Sequence, residues 1–84
     1  MTSVNEFKEW VLGTRNDAEN VLTAMTTLID RQGRASVSDY YDLVGITGAL
    51  KDERRGWTNL LWAEVLRVRT GYIIDLPHPV EFNN

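Results

Sequence analysis

Residues 34–45 read RASVSDYYDLVG, a short strand-like segment followed at once by the signals of a capped helix. A serine, Ser36 or Ser38, is placed to cap this helix, and Asp39 adds negative charge to its first turn. Gly45 is suited to end it. The segment before the helix is long enough only to pair at the edge of a sheet. The apolar residues that recur at helical spacing are Val37, Tyr40, Tyr41 and Val44.

The sequence before this stretch has a helical apolar pattern, interrupted once. Gly13 and the polar residues after it divide the pattern, so we predict two helices, at about 4–12 and 15–32. Thr14 is placed to cap the second helix, and Gly33 to end it in a left-handed conformation. A single long helix is the alternative, because the apolar stripe keeps its phase across the interruption.

The sequence after Gly45 changes character twice. Residues 46–59 carry two glycines and the charged run KDERR, and they are predicted to form a loop. A period of two then indicates a β-hairpin that turns at Thr70-Gly71, with Gly71 at a position that needs positive φ. Pro77 and Pro79 end the pairing. The alternating strand residues are Leu66, Val68, Tyr72, Ile74 and Leu76.

The order helix, short strand, helix, loop, hairpin predicts an α+β fold with a winged-helix-like outline. At 84 residues the chain has room for a single core. We expect one domain over 15–84, preceded by a variable N-terminal helix over 1–14. The predicted core contains Val21, Leu22, Met25, Leu28, Ile29, Tyr40, Leu43, Val44, Trp57, Leu66, Val68, Ile74 and Leu76.

Composition excludes several classes of protein. The chain has no cysteine, so disulfide frameworks and thiolate chemistry are excluded, which agrees with a reducing cytoplasm. The first ten residues lack the pattern of a secretory signal, and no apolar run approaches the ~18 residues of a membrane span.

Charge is unevenly distributed along the chain. The formal net charge is −3, yet residues 51–69 hold five basic and three acidic residues, a balance of +2. The remainder holds four basic and nine acidic residues, a balance of −5. An acidic body argues against DNA binding over a broad surface but leaves a narrow basic contact as an alternative. The candidate nucleic-acid contacts are Arg54, Arg55, Arg67 and Arg69.

Signs of catalysis are weak. His78 is the single histidine, lies between two prolines and has no partner at a motif spacing. Asp39 and Asp42, three residues apart on one helix, resemble a carboxylate pair or half a metal site, but a cap or a solvated face explains them as well. Nucleotide-binding glycine motifs and a nucleophile elbow are missing from the sequence. We therefore predict no enzyme activity, no catalytic residue, no metal, no cofactor and no small-molecule substrate.

Three segments carry a resemblance to a known group of proteins. SVSDYYDLVGITG, GWTNL and VRTGYIIDLPHP, within residues 17–79, resemble small uncharacterised proteins of actinobacterial phages such as mycobacteriophages. Those proteins share a VSDxYDLVG…GWT…VRxGYxxxLPxP pattern. The resemblance implies a phage origin and a location in the cytoplasm of the bacterial host, and it carries no activity. The KDERRGW loop is more basic than expected for that group.

These observations predict a non-enzymatic accessory protein that acts by binding another protein of host or phage, or by self-association. A winged-helix-type DNA-binding protein that uses residues 51–69 is the alternative. A helix of about nine residues is marginal alone, so the apolar face before Gly13 has to dock on something. Between the protein's own core and a partner, we favour the partner, with Phe7, Trp10 and Val11 as anchors.

Overall fold

The chain is an α+β protein in the computed structural model, which describes residues 10–46 and 50–82. Two helices pack with two antiparallel sheets, one of three strands in the order β1-β2-β5 and one of two strands, β3-β4. The elements are α1 (Arg15–Gln32), β1 (Ala35–Ser36), α2 (Val37–Val44), a 3-10 helix (Leu50–Arg54), β2 (Arg55–Trp57), β3 (Glu64–Val68), β4 (Gly71–Asp75) and β5 (Val80–Glu81).

The first helix, α1, has the bounds and both caps that the sequence predicts. The Asp17 amide donates to the Thr14 hydroxyl at 3.0 Å, and Gly33, at φ 88°, donates its amide to the Ile29 carbonyl at 2.8 Å. Residues 10–12 are not helical. A single long helix is therefore wrong, and so is the prediction that an N-terminal helix reaches residue 12. The rest of that predicted helix lies outside the described residues.

The stretch 34–45 folds as the sequence predicts, with Ser36 as the cap of α2. The Asp39 amide donates to the Ser36 hydroxyl at 2.9 Å, and the Ser36 amide donates to the Asp39 carboxylate at 3.0 Å. This reciprocal capping box satisfies two donors at the helix start. Gly45 ends α2 at φ 90°.

The prediction of a loop over 46–59 is wrong in its second half. Leu50–Arg54 form a 3-10 helix, and Arg55–Trp57 form β2, the central strand of the three-stranded sheet. Ala35 lies opposite Trp57, and Gly56 lies opposite Val80. A strand of three residues is too short for its sequence to show an alternating apolar pattern. The position of β2 is instead set by close packing of its backbone against β1. A Cβ on Gly56 would collide with the Ala35 carbonyl oxygen and the Ser36 Cα. The prolines do not end pairing altogether, because β5 follows them.

The predicted hairpin is confirmed, but its turn is one residue earlier than expected. Val68 pairs with Gly71, so Arg69 and Thr70 form the turn and Gly71 begins β4. Leu12 extends the sheet beyond β4, since its amide donates to the Tyr72 carbonyl at 2.7 Å and its carbonyl accepts from the Tyr72 amide at 2.8 Å. A Cβ on Gly71 would meet the Leu12 carbonyl oxygen. Gly71 therefore permits the close approach of this N-terminal segment.

The winged-helix outline is not confirmed. In a winged helix the short strand after the first helix joins the hairpin, whereas here β1 pairs with β2. Between α2 and β2, the described residues form only the five-residue 3-10 helix where a DNA-reading helix would be required.

The core lies between α1, α2 and the two sheets. Trp57 packs edge-on against Tyr40, with ring centroids 6.2 Å apart, and its indole N–H donates to the Pro77 carbonyl at 2.7 Å. Leu43 and Leu66 were predicted to be buried, but they are 39% and 37% exposed. The buried apolar residues are Ala18, Val21, Met25, Ala35, Val37, Tyr40, Tyr41, Trp57 and Ile74.

Candidate functional site

The β3–β4 hairpin has one face that α1 covers. Val65 lies opposite Ile74, which is 1% exposed and packs with the buried residues of α1. Arg67 lies opposite Tyr72 on the same face, because alternate residues of a strand share a face. The Arg15 guanidinium, at the start of α1, is 5.3 Å from the centre of the Tyr72 ring.

The opposite face of the hairpin is also apolar. Leu66 lies opposite Ile73, and Val68 precedes the turn on the same side. Leu12 packs toward the core, and its neighbour Val11 is 43% exposed beside Gly71. We call Val11, Leu66, Val68 and Ile73 the outer face. The sequence prediction that Leu66 is buried is wrong because Leu66 alternates with Val65, which faces the helix.

A tight turn before β3 presents two large apolar side chains to solvent. Leu61 is 80% exposed and Trp62 is 90% exposed. The Leu61 amide donates to the Asn59 side-chain oxygen at 2.8 Å, and the Ala63 amide donates to the Leu60 carbonyl at 3.1 Å. These bonds fix the backbone on both sides of the two exposed residues. We call residues 59–63 the Trp62 turn.

Charge of opposite sign marks the two ends of the hairpin. Glu64 and Asp75 lie directly opposite each other beside the Trp62 turn, where like charges repel. Residues 56–66 and 70–82 contain Glu64, Asp75 and Glu81 and no lysine or arginine. At the other end, the hairpin turn carries Arg69, which is exposed. The outer face thus has an acidic end and a basic end.

The three predicted partner-binding residues are placed differently. Val11 lies at the outer face, whereas Trp10 is half-buried, packs against the core and donates its backbone amide to the Tyr40 hydroxyl at 3.1 Å. Phe7 lies outside the described residues. The structure thus shows that Trp10 packs on the protein's own core. A role of these residues in binding a partner stays a prediction.

The four candidate DNA-contacting arginines do not form one surface. Arg55 is half-buried, with 13% of its side chain exposed, and pairs with the Asp52 carboxylate at 3.5 Å. Arg54 is exposed at the end of the 3-10 helix, which packs against α2, β1 and β2. Arg67 and Arg69 are exposed on the hairpin, which packs against α1. The basic run in the sequence is therefore divided between two parts of the fold.

Of the two carboxylates considered on α2, Asp39 has a structural role. Asp39 belongs to the capping box, and Asp42 lies one turn later in an exposed position. Within 10–46 and 50–82, no group of three histidine or acidic side chains is arranged to hold a metal ion. His78 is exposed between the two prolines. No helix among the described residues is long and apolar enough to cross a membrane.

Sequence reasoning missed Leu61 and Trp62, which lie between the predicted loop and the predicted hairpin. The available signal was a run of three large apolar residues, 60–62, directly after Thr58 and Asn59. Such a run does not distinguish a buried segment from an exposed turn. No protein-family model, no curated protein and no solved structure matches the chain.

Proposed function

We propose that this chain is a non-enzymatic accessory protein that binds another protein through the outer face and the Trp62 turn. The observation that carries the proposal is the 90% exposure of Trp62 in a turn whose backbone is held by hydrogen bonds. A fully exposed indole is costly in water, and tryptophan is among the residues that most often dominate binding energy at interfaces.

The outer face supports the same function. A sheet that is apolar on both faces is typical of the middle layer of a fold, and here α1 supplies the layer on only one side. Leu66 is 37% exposed and Val11 is 43% exposed, so a partner placed on this face would remove apolar surface from water at β3 and at the segment before α1.

The proposed biological setting comes from the sequence. The resemblance to small actinobacterial phage proteins supports a phage-encoded protein that acts in the cytoplasm of the bacterial host. The placement of Asp39 in a helix cap and the exposed position of His78 support a function without catalysis.

The test is capture of a partner by the immobilised full chain from nuclease-treated actinobacterial lysate. We expect the parent to retain one or more specific proteins, and we expect Trp62→Ala and Leu66→Lys each to lose them. Arg31→Glu serves as the matched surface control, because Arg31 is exposed on α1, away from the outer face.

Two results would contradict the proposal. Capture that both Trp62→Ala and Leu66→Lys retain would show that the partner binds elsewhere. Capture that occurs only from a parallel lysate left untreated with nuclease would favour the DNA-binding alternative, in which Arg54, Arg67 and Arg69 contact phosphates.

A further inference from the structure

The outer face is electrostatically complementary to itself when one copy is turned end for end. Its acidic end carries Glu64 and Asp75, and its basic end is the hairpin turn with Arg69. If two copies face each other with their strands reversed, each acidic end meets the basic end of the other copy. With the strands unreversed, acidic ends would meet and repel.

We propose that the partner on the outer face is a second copy of this chain, in a two-fold symmetric dimer whose hairpins pack face to face in opposite directions. The inference rests on the proposed function, because it uses the same surface. A two-fold interface brings the same residues from both copies together, so Leu66 and Ile73 of each copy lie near the symmetry axis. The contact is closed and does not propagate into filaments.

The Trp62 turn has a defined place in this dimer. It precedes β3 at the acidic end of the hairpin, so reversal of the strands brings Trp62 beside Arg69 of the second copy. A guanidinium over an indole ring is a favourable cation–π contact. Glu64 and Asp75 repel each other within one copy. The arrangement also places Arg69 of the other copy beside them, where its positive charge offsets this repulsion.

The size of the surface predicts a weak dimer. Strands of five residues are about 17 Å long, and the face is two strands wide with Val11 at one edge. This is less than the ~800 Å² per partner of a standard stable interface. We therefore expect the chain to be a monomer when dilute and a dimer when concentrated.

Sedimentation equilibrium of the full chain between about 5 and about 500 µM tests the inference. We expect a reversible monomer–dimer transition in the parent. Leu66→Lys and Arg69→Glu should each weaken the dimer at least tenfold, while circular dichroism shows both variants to be folded. Arg31→Glu makes the same change of charge as Arg69→Glu outside the outer face, and it should leave the dimer unchanged.

Exchange of the charges at the two ends makes the test specific. The triple variant Glu64→Arg/Asp75→Arg/Arg69→Glu restores complementarity and should recover the dimer that Arg69→Glu loses. A parent that is monomeric at all these concentrations overturns the inference, and so does a dimer that Arg69→Glu leaves unchanged. If such a monomer still captures another protein, and this capture is lost in Leu66→Lys and Trp62→Ala, the proposed function stands and only the identity of the partner is wrong.

Discussion

Leu66 and Ile73 lie directly opposite each other across the hairpin, on the face away from α1, whereas Val65 and Ile74 face the helix. Residues on the two faces of the hairpin therefore differ in their contribution to stability. We expect Ile74→Ala to cost about 2–5 kcal/mol of unfolding free energy and Leu66→Ala less than about 1 kcal/mol. Urea denaturation of both variants measures the difference. Equal losses would show that the outer face is covered within the monomer.

At Gly56 the pairing of β1 with β2 leaves no room for a Cβ atom. A Cβ there collides with the backbone of Ala35 and Ser36, so Gly56→Ala should force β1 and β2 apart and cost about 3 kcal/mol or more. Gly13→Ala is the matched control, because a Cβ at Gly13 meets no atom within 4 Å. Thermal melting of the two variants should differ by many degrees. A Gly56→Ala protein as stable as the parent would exclude the β1–β2 register.

The ion pair between Asp52 and Arg55 is predicted to matter for stability. Asp52 is 4% exposed and the Arg55 side chain is 13% exposed, so Asp52→Ala leaves a mostly covered guanidinium without this carboxylate and should cost about 3 kcal/mol. The neighbouring Glu53 is exposed, and Glu53→Ala should change stability by less than about 0.5 kcal/mol. Chemical denaturation compares them. Similar losses of unfolding free energy in Asp52→Ala and Glu53→Ala would mean that the Asp52–Arg55 ion pair is solvated.

Deletion of residues 1–12 should destabilise the domain. The deletion removes both hydrogen bonds between Leu12 and Tyr72 and the packing of Trp10 against the core. We expect a loss of about 3 kcal/mol or more, seen as a lower melting temperature. Retention of Gly13 and Thr14 keeps the cap of α1, so the loss is not a helix-capping effect. An unchanged transition would make residues 1–12 a dispensable extension.

Binding to duplex DNA should be weak and sensitive to salt. Arg55 is paired with Asp52, and the three other candidate arginines, Arg54, Arg67 and Arg69, lie on two separate parts of the fold. In gel-shift assays at ~50 mM salt we expect no sequence-specific complex, and any shift should vanish when Arg54, Arg67 and Arg69 are neutralised. A complex that survives at ~200 mM salt would contradict this prediction and favour the DNA-binding alternative.

Elements with local signals could be predicted from the sequence, and elements defined by distant contacts could not. Thr14, Gly33, Ser36 and Gly45 each act within one helical turn, and the helices that they cap have the predicted positions. β2 has three residues and β5 has two, and both are defined by pairing with strands more than 15 residues away, so they leave no periodic pattern.

The candidate site was harder to predict for the same reason. The sequence placed Leu66 and Ile74 in one core, because both follow a period of two, but it did not give the register between their strands. The register that pairs Leu66 with Ile73 turns Leu66 outwards. Val11 was assigned to a partner-binding segment, and the structure places it at the outer face, one residue from Leu12, which packs inwards.

The pairing of Leu12 with Tyr72 bears on how the protein is made. Synthesis proceeds from the N-terminus, so the hairpin edge that holds Leu12 does not yet exist when α1 and α2 leave the ribosome. β2 likewise gains its second neighbour only when Val80 and Glu81 emerge. Contacts this distant along the chain slow folding. The nascent chain therefore completes this fold only after residues up to Glu81 have emerged, and until then its apolar segments are exposed to chaperones and proteases.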